Sequence, residues 1–215
     1  MKLEITKSCA DSLRAFTQNN YGIQLKSSHA HELVAAYLGY SSRAALLSDT
    51  KCPINNLMDA EIIILSPPTL FVDQRLKTLE NLPSGLPSSP ILAEGVYAPI
   101  VADEQFFGKI WPGFHEVAMA FAEERAYANL IMMGMNPKEL KWIIDVDIKT
   151  REFDVLMTVT FDYPADANKP LRHSKVEITL PRISGDIGYG KPEVKPTFYH
   201  GDMTNPDFRR KHGID

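Results

Sequence analysis

The sequence has little cysteine, no long apolar segment and no large cluster of positive charge. Its two cysteines, Cys9 and Cys52, are far apart and fit no metal or redox spacing. We therefore expect both to be free thiols in the reducing cytoplasm. No apolar run approaches the ~20 residues of a membrane-spanning helix, and the N-terminus lacks the apolar core of a secretory signal. The sequence thus predicts a cytoplasmic protein with no membrane partner.

The charge distribution argues against sequence-independent binding to nucleic acid. The formal net charge is -4, and the longest basic run is Arg209–Lys211, whereas phosphate neutralisation requires clustered cations. Catalytic motifs are also missing, since no nucleophile elbow, phosphate-binding loop or cysteine–histidine pair is recognisable. The composition is otherwise ordinary, with 44% hydrophobic and 23% charged residues in a chain of 215. Such a chain can bury a full core, so we expect one domain with at most a small appendage.

One apolar segment, Phe114–Met135, is predicted to be the central helix. Its main stripe at helical spacing comprises Phe114, Val117, Ala118, Phe121, Ala128, Met132 and Met135, and its opposite side carries Met119, Ala126, Leu130 and Met133. A helix that is apolar nearly all round is expected to be covered on both sides. We therefore predict that other layers bury this helix.

The segments before the central helix are predicted to be mainly helical. Three short helices over Ile5–Gln18, Ser28–Leu38 and Ala44–Leu47 form a module at residues 1–50. Residues 51–112 hold more than half of the fifteen prolines, and they predict an irregular connection with one helix at Thr69–Leu82. Two shorter apolar segments are compatible with either strand or helix, namely Glu61–Leu65 and Ile91–Val101.

After Pro137 the apolar period changes from helical to two, which predicts strands. Trp142–Ile148 and Phe153–Phe161 form a hairpin, and further strands follow around Val176–Leu180 and at Glu193–Tyr199. Packed on the central helix, they predict an α+β fold with a C-terminal antiparallel four-stranded meander. The predicted domains are the helical module 1–50, the connecting region 51–112, the helix and sheet 113–200 and a polar tail 201–215.

Residues Leu25–Leu46 resemble a small helical module. The shared features are a Ser-His start at Ser28-His29, a Glu-Leu-Val helix at Glu32–Val34, a Leu-Gly-Tyr break at Leu38–Tyr40 and an Ala-Leu close at Ala45-Leu46. This pattern is similar to the module that precedes the main domain in some glyoxalase-superfamily proteins and that also occurs in plasmid- and phage-borne proteins. The resemblance implies no catalytic residues, because the glyoxalase chemistry lies in a separate domain that the remaining sequence does not contain. It implies a protein carried by a mobile element.

The histidines do not predict a metal site. A zincin-type pair needs a second histidine four residues after the first, and after His31 and His115 these positions hold Ala35 and Met119. His29 and His31 are two apart and point to different sides of a helix. We therefore expect neither a metal nor another cofactor.

Arg125 falls within the apolar stripe of the central helix. A buried guanidinium needs a partner, so it either pairs with Glu124, Asp145 or Asp147 or lines a cleft for an anion. Asp145 and Asp147 share one face of a strand about 7 Å apart, where paired carboxylates can hold Mg²⁺ or transfer protons. The same alternation is typical of the solvated face of a strand, which we favour. An enzyme with a cleft at Arg125, Asp145 and Asp147 stays open as an alternative, and Glu124 is the fourth residue of the possible pocket.

The N-terminal module and a glycine-rich loop are the predicted contact surfaces. Residues 28–48 have the outline of a helix-turn-helix, but the second helix offers few side chains for base contacts and the module carries nearly balanced charge. The loop Ser184–Lys191 lacks the helix N-terminus of a dinucleotide site and is expected to be exposed and mobile. The candidate contact residues are Tyr40, Arg43, Gly188, Tyr189 and Lys191.

These observations favour a non-enzymatic protein that binds another protein, as an accessory, counter-defence or regulatory factor of a mobile element. A DNA-binding regulator that uses residues 28–48 is the first alternative, and the enzyme is the second. Apolar residues on both sides of the strand at Trp142–Ile144 would also permit a homo-oligomer.

Overall fold

The computed structural model describes residues 5–65, 70–102, 108–132, 143–166, 169–199 and 206–212. Within them the helices are α1 Ile5–Tyr21, α2 Ser27–Tyr37, α3 Arg43–Ser48, α4 Leu70–Thr78, α5 Ser89–Ala102, α6 Phe114–Met132 and α7 Pro206–His212, with a 3-10 helix at Ile54–Asp59. The strands are β1 Ile62–Ile64, β2 Lys109–Trp111, β3 Ile143–Thr150, β4 Asp154–Asp166, β5 Lys169–Ser184, β6 Gly188–Tyr189 and β7 Glu193–Tyr199. No helix in these ranges is long and apolar enough to cross a lipid bilayer.

The chain divides into two compact units. Unit one comprises Met1–Gly113 with Pro181–Lys191, and unit two comprises Phe114–Leu180 with Pro192–Asp215. The segments predicted as the helical module and the connecting region therefore belong to the same unit. Helices and sheet strands occur together in the chain, which confirms the predicted α+β class.

The helix that unit one encloses is α2. It contacts α1, α3, α4 and α5, and every side chain from Leu33 to Leu38 is buried. Ala30, Ala35 and Ala36 add little volume, so neighbouring helices can approach α2 closely on several sides. The helix predicted at Ser28–Leu38 is confirmed, and it occupies the enclosed position that we predict for Phe114–Met135.

The segment left open between strand and helix at Ile91–Val101 belongs to α5. Gly95, which weakens a helix by its backbone freedom, lies where α5 meets α1. A Cβ atom at this position would come within 2.8 Å of Phe16 Cβ. The glycine is therefore needed for close helix packing, and this requirement outweighs its low helix propensity.

The strands of unit one form a small mixed sheet. β1 pairs in parallel with β2 and antiparallel with β6, and β6 pairs with the end of β5 at Arg182 and Ser184. β1 is buried along its whole length, and Ile63 belongs to the hydrophobic core of unit one. The sequence predicts neither β2 nor β6, since each is too short to show a period.

The sheet of unit two contains the predicted hairpin, β3 and β4, paired antiparallel from Ile143↔Asp162 to Thr150↔Val155. β5 lies next to β4, and β7 pairs antiparallel with β5. Because β5 also pairs with β6 in unit one, the strands do not form a self-contained four-stranded meander, and that finer prediction is not confirmed. The predicted polar tail contains α7.

The prediction that the helix from Phe114 is covered on both sides is wrong. Its fully buried side chains, among those described, are Val117, Ala118, Ala122 and Ala126. Ala128 is exposed although the predicted stripe includes it, and Ile131 is 65% exposed. The described contacts of α6 are with β3, β4 and β7 of one sheet, so only a narrow stripe of small residues is buried. The predicted helix end at Met135 and strand start at Trp142 lie outside the described residues.

Candidate functional site

The glycine-rich loop Ser184–Lys191 is an internal part of unit one. Gly188 and Tyr189 are buried, and Tyr189 is 1% exposed. The predictions that this loop is exposed and that Gly188 and Tyr189 contact a partner are therefore wrong. Lys191, at the end of the loop, is exposed.

Main-chain and side-chain bonds hold this loop against the turn after α2. Asp186 N donates to Leu38 O at 2.9 Å, and Gly185 N donates to Cys52 O at 2.9 Å. Arg182 Nη1 lies 2.6 Å from Asp186 Oδ1 in a largely buried ion pair. Burial raises the pKa of Asp186, and the Arg182 guanidinium opposes that rise. The loop is a docking element within the fold, because carbonyl groups of unit one accept from the Gly185 and Asp186 N–H groups.

Tyr40, in the turn after α2, is also bonded inside unit one. Its ring is half-buried, and its hydroxyl lies 2.9 Å from both Asp49 Oδ2 and Cys52 O, so that it donates to one of them. Burial and the bond to Asp49 raise the pKa of the Tyr40 hydroxyl. The predicted contact residue Tyr40 is thus engaged inside unit one.

The predicted pocket of Glu124, Arg125, Asp145 and Asp147 is not formed. All four side chains are exposed in unit two, so Arg125 does not need the buried carboxylate partner that we expected. Asp147 Oδ2 instead accepts from Lys149 Nζ at 2.9 Å on the same strand.

The register of the hairpin explains why these carboxylates and α6 are separated. Asp145 and Asp147 lie opposite Thr160 and Thr158. The alternate residues of β4, such as Met157 and Val159, are buried on the face that α6 covers. Successive side chains of a strand point to opposite faces, so the two aspartates lie on the face away from α6. Within the described residues no group of three His, Cys, Asp or Glu side chains is placed to hold a metal.

A groove of about 660 Å³ lies on unit one where α1, α2 and α3 meet. Its lining combines apolar side chains with cations and carboxylates. The residues are Ile5, Thr6, Lys7, Asp11, Ser27, His31, Arg43, Leu46, Leu47, Asp49, Pro53, Ile54 and Asn55. Of the predicted contact residues, the groove includes Arg43.

The short helix α3 presents Leu47 at this groove. Ser42 Oγ caps the helix by accepting from Ala45 N at 3.1 Å, and Glu32 Oε2 accepts from Arg43 N at 3.1 Å. Leu46 is buried, whereas Leu47 is 69% exposed. A helix of six residues with one packed face must expose one of two adjacent leucines. That rule is the sequence signal that points to an exposed leucine here.

Charges of both signs surround this leucine. Burial, and next the nearby Arg43, lower the pKa of His31, while Asp11 opposes this effect. Although burial alone would raise it, hydrogen bonds from Lys51 N and Tyr40 hold the pKa of Asp49 below its usual range. At neutral pH the groove therefore offers an uncharged imidazole between a guanidinium and carboxylates.

We expect opposite changes in the pKa of His31 when its two charged neighbours are removed. Arg43→Ala takes away a cation that disfavours the imidazolium, so the pKa of His31 should rise. Asp11→Ala takes away an anion that favours it, so the pKa should fall. An NMR pH titration of the His31 ring protons measures both shifts. A shift of the same sign in the two variants would contradict the described arrangement.

Because the folded-state pKa of His31 is lowered, its neutral form favours the folded protein. This contribution is present above the pKa of the unfolded chain and is lost as the pH falls through that value towards the folded pKa. Arg43→Ala should reduce this pH dependence, because it brings the two pKa values closer together.

Comparisons with protein-family models, with curated proteins and with solved structures found no match. The sequence indicates Arg43, but it does not single out Lys7 or Asp11, because residues of α1 and α3 line one groove only in the folded chain.

Proposed function

We propose that this protein acts by binding another protein through the groove formed by α1, α2 and α3. The observation that carries the proposal is Leu47, which is 69% exposed on a capped helix at a concave surface. Exposure of a large aliphatic side chain is common in isolation, but Leu47 shares the lining of a groove with Ile5 and Ile54, whose side chains are largely buried.

The distribution of charge around the groove fits a protein partner. Lys7 and Arg43 are balanced by Asp11 and Asp49, so the surface has no strong preference for polyanions. Protein interfaces commonly combine an apolar centre with a polar rim, whose charges select the partner and its orientation. A partner segment with an apolar side chain for the groove and charges of both signs beside it would suit this surface.

Binding to DNA is less well supported by the same helices. A recognition helix has to bring several polar side chains to base edges in the major groove. The exposed residues of α3 are Arg43, Ala44, Leu47 and Ser48, of which two are apolar. An enzyme with Arg125, Asp145 and Asp147 is not supported, because the aspartates lie on the sheet face away from α6.

The resemblance of Leu25–Leu46 to a module of plasmid- and phage-borne proteins supports the proposal that the partner belongs to a host cell or to the mobile element itself. An accessory, counter-defence or regulatory factor would act by such a contact without catalysis. The enclosed α2 and its docked loop would then serve as the scaffold that holds α3 in place.

Site-specific photocrosslinking tests the proposed surface in the organism that encodes the protein. A benzophenone amino acid at position 47 should yield a discrete protein adduct. The same amino acid at Leu70, which is 60% exposed on α4 of the same unit, should not yield that adduct. The adduct at position 47 should fall by about tenfold or more with Arg43→Glu, since a rim charge selects the partner.

Lys191→Glu is the matched control, because Lys191 is an exposed cation of unit one outside the groove lining. Equal crosslinking from positions 47 and 70, or equal loss with Arg43→Glu and Lys191→Glu, would contradict the proposed surface. A gel shift with duplex DNA that weakens with salt and disappears on Arg43→Ala would favour the DNA-binding alternative instead.

A further inference from the structure

The strand β3 of unit two has one hydrogen-bonded neighbour within the described part of the chain, which is β4. Its long outer edge of eight residues would leave backbone groups available for another strand. The strand is also exposed almost throughout, since Val146 is its most buried side chain.

The hairpin geometry determines which residues offer backbone groups at this edge. Arg151 N donates to Asp154 O at 2.9 Å, so this pair is hydrogen-bonded. Antiparallel ladders alternate hydrogen-bonded with non-hydrogen-bonded pairs. The odd-numbered residues of β3 therefore bond to β4, and Ile144, Val146, Ile148 and Thr150 direct their N–H and C=O groups outward.

The face of β3 that continues the core of unit two is only partly covered. Ile144 and Ile148 lie opposite Phe161 and Met157, whose side chains are at most 1% exposed. Opposite residues share a sheet face, yet Ile144 is 40% and Ile148 is 37% exposed. The apolar face thus extends beyond the part that is buried, as far as the outer edge of β3.

The other face of β3 carries a charge sequence that is complementary to itself. Asp145 and Asp147 are followed by Lys149 and Arg151 at the same spacing. If two copies pair antiparallel about Ile148, Asp147 lies opposite the partner's Lys149 and Asp145 lies opposite the partner's Arg151. Pairing about Asp147 would place Asp147 against itself, and pairing about Lys149 would place Lys149 against itself. Like charges directly opposite are unfavourable, so the charges select the register centred on Ile148.

In this register the outward-pointing backbone groups of the two strands can also bond to each other. It pairs even-numbered residues with even-numbered residues, namely Ile148 with the partner's Ile148 and Val146 with the partner's Thr150. These are the residues whose backbone groups point outward. Among the registers in which these backbone groups can bond, the charges therefore select the one centred on Ile148.

We propose that two copies of this chain associate by antiparallel pairing of their β3 strands about a two-fold axis at Ile148. The occupant of the edge is a second copy, because the edge is complementary to its own sequence. The association would join the β3 strands of the two copies, and with them the two sheets, into one continuous sheet. It goes beyond the proposed function, since it involves unit two and not the groove of unit one.

A cysteine crosslink tests the register directly. In Ile148→Cys the two new cysteines would lie in a hydrogen-bonded pair with Cα atoms about 5.5 Å apart, which is within disulfide range. In Ile144→Cys, a similarly exposed position on the same face, the two cysteines would be about 26 Å apart along the strands. Oxidation should therefore give a covalent dimer of Ile148→Cys alone. The native Cys9 and Cys52 are buried and serve as an internal background.

Charge variants test the complementarity, and mixing them separates pairing between chains from the loss of ion pairs within one strand, such as Lys149–Asp147. Asp145→Lys with Asp147→Lys makes the edge wholly basic, and Lys149→Glu with Arg151→Glu makes it wholly acidic. Each double variant alone should self-associate at least about 100-fold more weakly than the original chain in sedimentation equilibrium. An equimolar mixture of the two should form a heterodimer, because all four cross-strand pairs regain opposite charges.

Three results would overturn the proposal. The original chain could sediment as a monomer across the concentration series, the two cysteine variants could crosslink equally, or the two charge variants could stay monomeric when mixed. A dimer of the original chain without an Ile148→Cys crosslink would place the interface on another surface and would count equally against it.

Discussion

Replacing Gly39 by alanine is expected to lower the free energy of unfolding by about 2–4 kcal/mol. Gly39 has a φ of +92°, and a Cβ atom there would lie 2.2 Å from Asp186 Cγ. Asp186 cannot easily retreat, because its N–H bonds to Leu38 O and its carboxylate pairs with Arg182. The substitution therefore strains the backbone and displaces the loop that docks on the α2 turn. Urea unfolding followed by Trp111 fluorescence, in a Trp142→Phe background, measures the loss in unit one.

Gly22→Ala is the matched control for this prediction. Gly22 also has a positive φ, +66°, but no atom lies within 4 Å of the added Cβ. Its cost should be limited to the left-handed backbone, about 1 kcal/mol. Equal losses in the two variants would show that the contact with Asp186 contributes nothing. A Gly39→Ala chain that does not fold, beside a folded Gly22→Ala chain, agrees with the prediction.

Ala35→Asp should abolish the folding of unit one or cost more than about 4 kcal/mol. Ala35 is 0% exposed in α2, which is packed among four other helices. A carboxylate there would lose its hydration, and it would also overfill a site that holds a methyl group. The same urea titration with Trp111 fluorescence measures the effect.

Two exposed alanines separate burial from helix propensity in this test. Ala44→Asp lies in the first turn of α3, and Ala128→Asp lies on α6. Each should change stability by no more than about 1 kcal/mol, mainly through the lower helix propensity of aspartate, measured by Trp111 fluorescence for Ala44 and by far-UV circular dichroism for Ala128. A large loss from Ala128→Asp with a small loss from Ala35→Asp would restore α6 as the enclosed helix.

The N-terminal helices could be predicted within about three residues because their signals are local. Ile5–Gln18 is observed as Ile5–Tyr21, and Ser28–Leu38 is observed as Ser27–Tyr37. The hairpin of β3 and β4 follows equally from an alternating pattern and a polar turn. Each of these predictions uses only residues that are close in sequence.

The choice of central helix failed because alanine is compatible with both a buried and an exposed face. Ala122 and Ala126 are buried and Ala128 is exposed, yet the helical wheel alone does not rank them. The large side chains of the facing strand decide which face of α6 is buried, because a helix approaches them most closely through its smallest side chains. For α2 the same composition is enclosed, because several helices surround it.

The candidate site was predictable only in part for a related reason. Arg43 could be chosen from its place after the break at Gly39-Tyr40, and Leu47 could be chosen from the limit that six helical residues set. The glycine-rich loop could not be assigned correctly, because its burial depends on the carbonyl groups of Leu38 and Cys52, more than a hundred residues away in the chain.

The sequence by itself determined the N-terminal helices, the helix from Phe114 and the hairpin of β3 and β4, and it determined that helices and strands belong to one α+β chain. The order of charges along β3 is also visible in the sequence, without knowledge of any tertiary contact. Only the tertiary structure decided that α2 is enclosed, that residues 184–191 are docked and that Leu47 is exposed beside Arg43. The physical reason is that secondary structure follows from neighbouring residues, whereas burial depends on side chains that are distant in sequence and meet only in the folded chain.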